Sequence, residues 1–135
     1  MTKKFITRDS GNRQKFTSGA VRDTREGKGR YDLITPIGLK RIAGVYERGA
    51  VKYSDRNWEK GMPISRYLDS ALRHTFQYIE GMRDEDHLAQ AAWNLLAAIH
   101  MEEMVERKLL PKEINDMPNF IKTAEDNQKI QNERT

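Results

Sequence analysis

Apolar residues recur at helical spacing in three segments of the chain and nowhere at the two-residue period of a strand. Leu39, Ile42, Ala43, Tyr46 and Ala50 follow Thr35-Pro36, a pair that reads as an N-cap with proline at the first helical position. A first helix is therefore predicted over about residues 36–48, with Gly49 near its end. Behind Pro63, the residues Ile64, Tyr67, Leu68, Ala71, Leu72, Thr75, Tyr78 and Ile79 form a continuous i, i+3, i+4 stripe, and Gly81 supplies a stop. A short turn, with Asp84 as candidate N-cap, leads into a third helix over about residues 85–108. Its centre, Leu88 to Met101, is apolar almost all the way round. That pattern belongs to a helix buried on most sides, at the centre of a bundle or of an oligomer interface. Pro111 ends it, and a weak fourth helix is predicted over about residues 112–124 on Ile114, Phe120 and Ile121. The final stretch, EDNQKIQNERT, reads as disordered.

Ahead of the helices, residues 1–15 are polar and basic and read as a flexible tail. From Phe16 to Leu33, Gly19, Gly27 and Gly29 interrupt any helix, and no strand is predicted. This segment is expected to be a loop or extended arm anchored by Phe16, Val21, Tyr31 and Leu33. The expected fold class is all-α: a small helix bundle with an irregular, basic N-terminal arm. Residues 16–110 are expected to form the helical domain with its arm, and residues 111–135 a weak helix and tail.

A chain of 135 residues is enough for one domain with one modest core. At this size a symmetric homo-oligomer is a reasonable expectation. The net charge of +4 is unevenly spread: residues 1–30 hold nine Lys/Arg against three Asp/Glu, and the rest is net −2. A basic arm on a near-neutral body suits phosphate contacts or a solvated tail. There is no cysteine, so disulfides and thiol chemistry are excluded. No apolar run approaches a membrane span, and the N-terminus lacks the apolar region of a signal peptide. A cytoplasmic protein is expected.

The candidate chemistry lies on the second and third helices. His87, Gln90 and Asn94 fall within an arc of about 60°, a polar stripe on an otherwise apolar helix. Buried polar groups need partners, so the stripe faces either a structural hydrogen-bond network or a ligand pocket. His74 sits at the edge of the second helix's apolar stripe, near Tyr78. A short turn makes the two helices antiparallel, which lets His74 and His87 face one shared space suited to phosphate binding or proton transfer. Asp84, Glu85 and Asp86 either cap the third helix and favour its dipole or serve as hard oxygen ligands for a divalent ion. In the arm, glycines flank Lys28, with Arg22 and Arg30 nearby, although no P-loop spacing is present. The loop after the first helix offers Lys52, Tyr53, Arg56, Asn57 and Trp58: cations, an amide and a stacking ring. Asp86-His87 is in the reverse order of a phosphohydrolase HD pair, and no G-x-S-x-G, zinc-finger or dinucleotide fingerprint occurs.

Five strings in order, SGAVRD (18–23), GKGRYDLI (27–34), ERGAVKYSDRNWEKG (47–61), SALRHTFQYIEG (70–81) and DHLAQAAWNLLA (86–97), carry a resemblance over about residues 16–103. Together they resemble the N-terminal domain family of phage dATP/dGTP diphosphohydrolases. The resemblance implies hydrolysis of a purine deoxynucleoside triphosphate to the monophosphate and pyrophosphate. It also implies an oligomeric all-α fold similar to the all-α NTP pyrophosphohydrolases, with Mg²⁺, Mn²⁺ or Co²⁺ as cofactor, in the host cytoplasm if phage-encoded. Under it, Asp84, Glu85 and Asp86 hold the metal, and His74 and His87 position or activate water. Asn94 orients the base, the sugar or a water, and Lys28, Arg30, Lys52 and Arg56 hold phosphates while Trp58 stacks. The chain departs from the broader group, which carries E-E-x-x-E on one helix and E-x-x-D on the next. Two alternatives follow: a non-catalytic phage protein that sequesters a nucleotide or nucleotide signal, and a small nucleic-acid-binding protein. The near-neutral helical body argues against the second.

Overall fold

A computed structural model describes residues 4–120, 128, 129 and 131–133, and divides the chain into two compact units, Met1–Thr35 and Pro36–Thr135. In the first, β1 (Arg13–Lys15) pairs antiparallel with β2 (Val21–Asp23), Gln14 opposite Arg22. Gly19, with φ of +91°, donates to Phe16 to close the hairpin turn. The sequence gives no sign of these strands. They are three residues long and mostly exposed, so no buried face imposes an alternating pattern. Charge holds them instead. Asp23 accepts from Lys28 at 2.8 Å and from Ser10, which keep its carboxyl well below the usual range. Arg30 forks onto Asp32 through two 2.9 Å bonds.

The second unit is built on α1 (Pro36–Lys52), α2 (Ile64–Ile79) and α3 (His87–Glu106). The first helix runs four residues past its expected end. A helical glycine costs only about 1 kcal/mol, and Ala50, Val51 and Lys52 can all continue the helix beyond Gly49. α2 ends as predicted at Gly81, where Gly81 donates to Tyr78 and Met82 to Gln77, both at 3.0 Å. The N-cap of α3 is Asp86, whose side chain accepts from Ala89, and not Asp84, which is taken by His87. Helices α2 and α3 pack antiparallel, and α1 lies against α3.

The core gathers Ile64, Tyr67, Ala97, Ala98 and Met101, with Trp58, Trp93, Leu110 and Ile114 packed around it. Alanines let the backbones of α2 and α3 approach closely. The larger Leu88, Leu95, Leu96 and Ile99 of α3 are exposed in the single chain, so the helix is less enclosed than its composition suggests. After α3, Pro111 leads into a 3₁₀ turn at Lys112–Ile114, not a full fourth helix. Residues 115–120 are irregular, 121–124 lie outside the described residues, and 128, 129 and 131–133 are helical where disorder was expected. Asp116 accepts from the Ser65 backbone at 3.0 Å and from its hydroxyl, satisfying the first turn of α2. Between α1 and α2, Gly61 holds a φ of +100°, and a Cβ there would meet Ile114 Cδ1 at 2.6 Å. Gly61→Ala is expected to cost about 1–3 kcal/mol from strain and overlap, read as a lowered denaturation midpoint. An unchanged midpoint would mean the turn relaxes freely.

Candidate functional site

The turn between α2 and α3 walls a cavity of about 560 Å³. α1 contributes Arg41 and Arg48, seven residues apart and so on one helical face. The turn contributes Arg83 and the three carboxylates Asp84, Glu85 and Asp86, while Tyr78, His87 and Gln90 complete the lining. Three guanidinium groups thus face three carboxylates. Arg83 lies outside the predicted set, and so do Arg41 and Arg48 of α1. Their heptad spacing was visible in the sequence, but nothing there says that this face of α1 meets the α2–α3 turn.

Each carboxylate has its own partner. Asp86 receives a two-point ion pair from Arg41, with Nε to Oδ2 at 2.9 Å, while also capping α3. That guanidinium, and then the Ala89 amide, hold its carboxyl below the usual range. Asp84 accepts from His87 Nε2 at 2.8 Å, which lowers its carboxyl in the same way. Glu85 accepts from Gln90 Nε2 at 3.1 Å. The Arg83 guanidinium lies 3.8 Å from the Tyr78 ring centre and donates to the Tyr78 and Met82 carbonyls. Among the described residues neither Arg48 nor Arg83 has a carboxylate partner.

The short turn brings His74 and His87 together in the interior, their Nδ1 atoms 2.9 Å apart. One of these nitrogens must donate and the other accept. With His87 donating from Nε2 to Asp84, its Nδ1 carries the lone pair, so His74 donates from Nδ1 and its Nε2 is left basic. One nitrogen of each ring and a Glu85 carboxylate oxygen lie within 4.8 Å of one another.

Burial pushes the His74 pKa below its ordinary 6.5, with Arg73 and His87 acting the same way and Glu85 and Asp84 opposing. A base depressed by folding binds fewer protons in the native than in the unfolded chain between its two pKa values. Its stabilising contribution is therefore complete above pH 6.5 and is lost as pH falls toward the folded value. The thermal midpoint in EDTA buffer is expected to drop from about pH 7.5 to about pH 5.5, and His74→Gln to flatten that drop. An equal slope in the variant would assign the titration elsewhere.

The other predicted residues of the second unit do not line this cavity. Asn94 is buried on α3 and donates to the Gln90 carbonyl at 2.9 Å. Trp58 packs edge-on against Tyr46 and His100, with ring centres at 5.9 and 4.9 Å. Arg56 pairs with Glu59 at 2.6 Å, Lys52 lies over the Tyr53 ring, and Asn57 opens the adjoining 3₁₀ turn. Arg22, Lys28 and Arg30 belong to the first unit, where Lys28 and Arg30 are paired with Asp23 and Asp32. Among the described residues, no helix is long and apolar enough to cross a membrane.

Fold and cavity define a mostly helical domain with an arginine- and carboxylate-lined pocket backed by a buried histidine pair. Residues 18–109 match the family described as dATP/dGTP diphosphohydrolase, N-terminal, and the chain belongs to that family. No curated protein and no solved structure matches it.

Proposed function

We propose that this chain hydrolyses dATP or dGTP to the monophosphate and pyrophosphate in the cavity at the α2–α3 turn. The observation that carries the reading is the joined set His74, His87 and Asp84 beside two arginines with no carboxylate ion pair among the described residues, within a family named for this reaction. The reaction breaks the bond between the α- and β-phosphates and needs a water to lose a proton. Among the described residues Arg48 has no ion-pair or hydrogen-bond partner, Arg83 would exchange its Tyr78 and Met82 carbonyls for phosphate oxygens, and Arg41 is spent on holding Asp86. The arginine and carboxylate charges cancel, so a polyanionic triphosphate requires a further cation. A divalent ion supplies that charge and lowers the pKa of bound water. Water activation falls to the His74, His87 and Glu85 end of the cavity, and Asp84 fixes the His87 tautomer. Tyr78 and Gln90 offer a ring face and an amide for the remainder of the nucleotide.

A homo-oligomer belongs to the proposal, because Leu88, Leu95 and Ile99 form an exposed apolar stripe on α3 that a second copy would cover. Sedimentation at micromolar concentration checks it. A cytoplasmic setting suits a substrate taken from the nucleotide pool. The test of function is incubation with each dNTP and NTP and Mg²⁺, Mn²⁺ or Co²⁺, followed by chromatography and a pyrophosphate assay. Monophosphate and pyrophosphate from dGTP or dATP are expected. Recovery of every nucleotide intact, with tight binding, would instead favour a sequestering protein, a reading motivated by the missing E-E-x-x-E pattern.

A further inference from the structure

Two imidazoles and one carboxylate converge where α2 meets α3, and their arrangement says more than a hydrolytic pocket requires. The Nδ1 atoms of His74 and His87 stand 2.9 Å apart. Two nitrogens each ~2.0–2.1 Å from one tetrahedral ion stand ~3.3–3.4 Å apart, so the pair needs to open by only about 0.4 Å to hold one. The two nitrogens share one hydrogen bond, and an ion bound by both would take the place of its proton. Glu85 brings a carboxylate oxygen within 4.8 Å of both rings. An independent feature points the same way. The far nitrogen of His87 donates to Asp84 at 2.8 Å, the carboxylate–imidazole contact that fixes tautomer and ring orientation in metal-bound histidines. This contact keeps the Nδ1 lone pair of a nearly fully buried ring turned toward His74. Glu85 and His87 both line the cavity, so positions not filled by protein would open onto it.

We infer that His74, His87 and Glu85 form a binding site for one divalent ion of the nitrogen-preferring class, Zn²⁺ or Co²⁺, with Asp84 as the positioning residue for His87. Three protein ligands of this kind with an open remainder are the make-up of a catalytic rather than a structural site. Mg²⁺ fits poorly, since it takes oxygen donors and gives up its waters reluctantly. Asp86 stands outside the set, committed to Arg41 and to the cap of α3. The site rests on its own geometry; only its use in catalysis rests on the hydrolytic reading.

The test is titration of the untagged, metal-stripped full chain with Co²⁺, read by visible absorption, followed by competition with Zn²⁺ and Mg²⁺. One Co²⁺ per chain is expected, displaced by stoichiometric Zn²⁺ and retained against a large excess of Mg²⁺. Glu85→Gln, at an exposed position that does not threaten folding, is expected to weaken Co²⁺ by about tenfold or more, and Asp84→Asn by about 10–100-fold. His74→Ala is expected to abolish the ion-induced bands. Absence of a saturable band, binding unchanged in Glu85→Gln, or displacement by equimolar Mg²⁺ overturns the site. Mg²⁺-supported dNTP turnover by a chain that does not bind Co²⁺ removes the site and leaves the hydrolytic reading standing. Glu85-dependent Co²⁺ binding with every nucleotide intact does the reverse.

Discussion

Alanine at His87 is expected to lower kcat/KM for dATP or dGTP by about 10²–10⁴-fold, the range lost when a group that activates water is removed. His87 is 1% exposed and touches both His74 and Asp84, so no other side chain can stand in for it. Its loss leaves the His74 Nδ1 group buried without a partner, which also costs about 1–3 kcal/mol of stability. The two effects separate experimentally: turnover is measured at a temperature where circular dichroism shows the variant folded. Asp84→Asn offers a milder control, since it keeps the ring and removes only the charge that orients it. It should reduce turnover less than His87→Ala does. Unchanged turnover in His87→Ala would move the chemistry out of this cavity and sink the assignment.

The largest expected effect on stability comes from Met101→Ala. Met101 is fully buried, 0% exposed, against Ile64, Tyr67, Ala97 and Ala98, in a core with few large side chains. Truncation removes transfer energy and leaves a cavity that the alanines around it cannot fill, for a cost of about 2–5 kcal/mol. In a unit of this size the thermal midpoint should fall by about 10 °C or more. Met101 is absent from the cavity lining, so kcat/KM measured well below the new midpoint should stay near that of the parent chain. A fall of only a degree or two would mean that the core is closed by contacts beyond the single chain, such as a second copy over the α3 stripe.

Much of the fold is legible in the residues because local and global preferences agree in α2. Of its stripe, Ile64, Tyr67 and Ala71 are buried, as is His74 at the edge, although Leu72 and Ile79 are exposed in the single chain, and Gly81 takes the positive φ that a helix stop requires. Agreement fails at three places. Gly49 does not end α1, because one glycine's propensity is too weak to oppose a run of neighbours that accept the helix. The β1–β2 hairpin escapes periodicity because solvent surrounds most of it and its anchors are ion pairs. In α3, an apolar composition nearly all round predicts burial on most sides, in the bundle or in an oligomer interface, yet within the single chain helix packing covers the alanine face and leaves the leucines exposed.

For the candidate site, residue order alone set which chemistry was at hand: two histidines on helices joined by a short turn, a triplet of carboxylates at that turn, and a polar stripe on α3. Helical periodicity fixes each of these within its own element, since angle around an axis follows from residue number alone. How they are shared out follows from the packing of the helices. It placed Arg41, 45 residues from Asp86, against that carboxylate, took Asp84 for His87, and left Glu85 beside the two imidazoles. It also drew Trp58 into the packing around the core. Pairings of that kind depend on the distance between helices and on which residue claims a partner first, and neither is written in the spacing of any one helix.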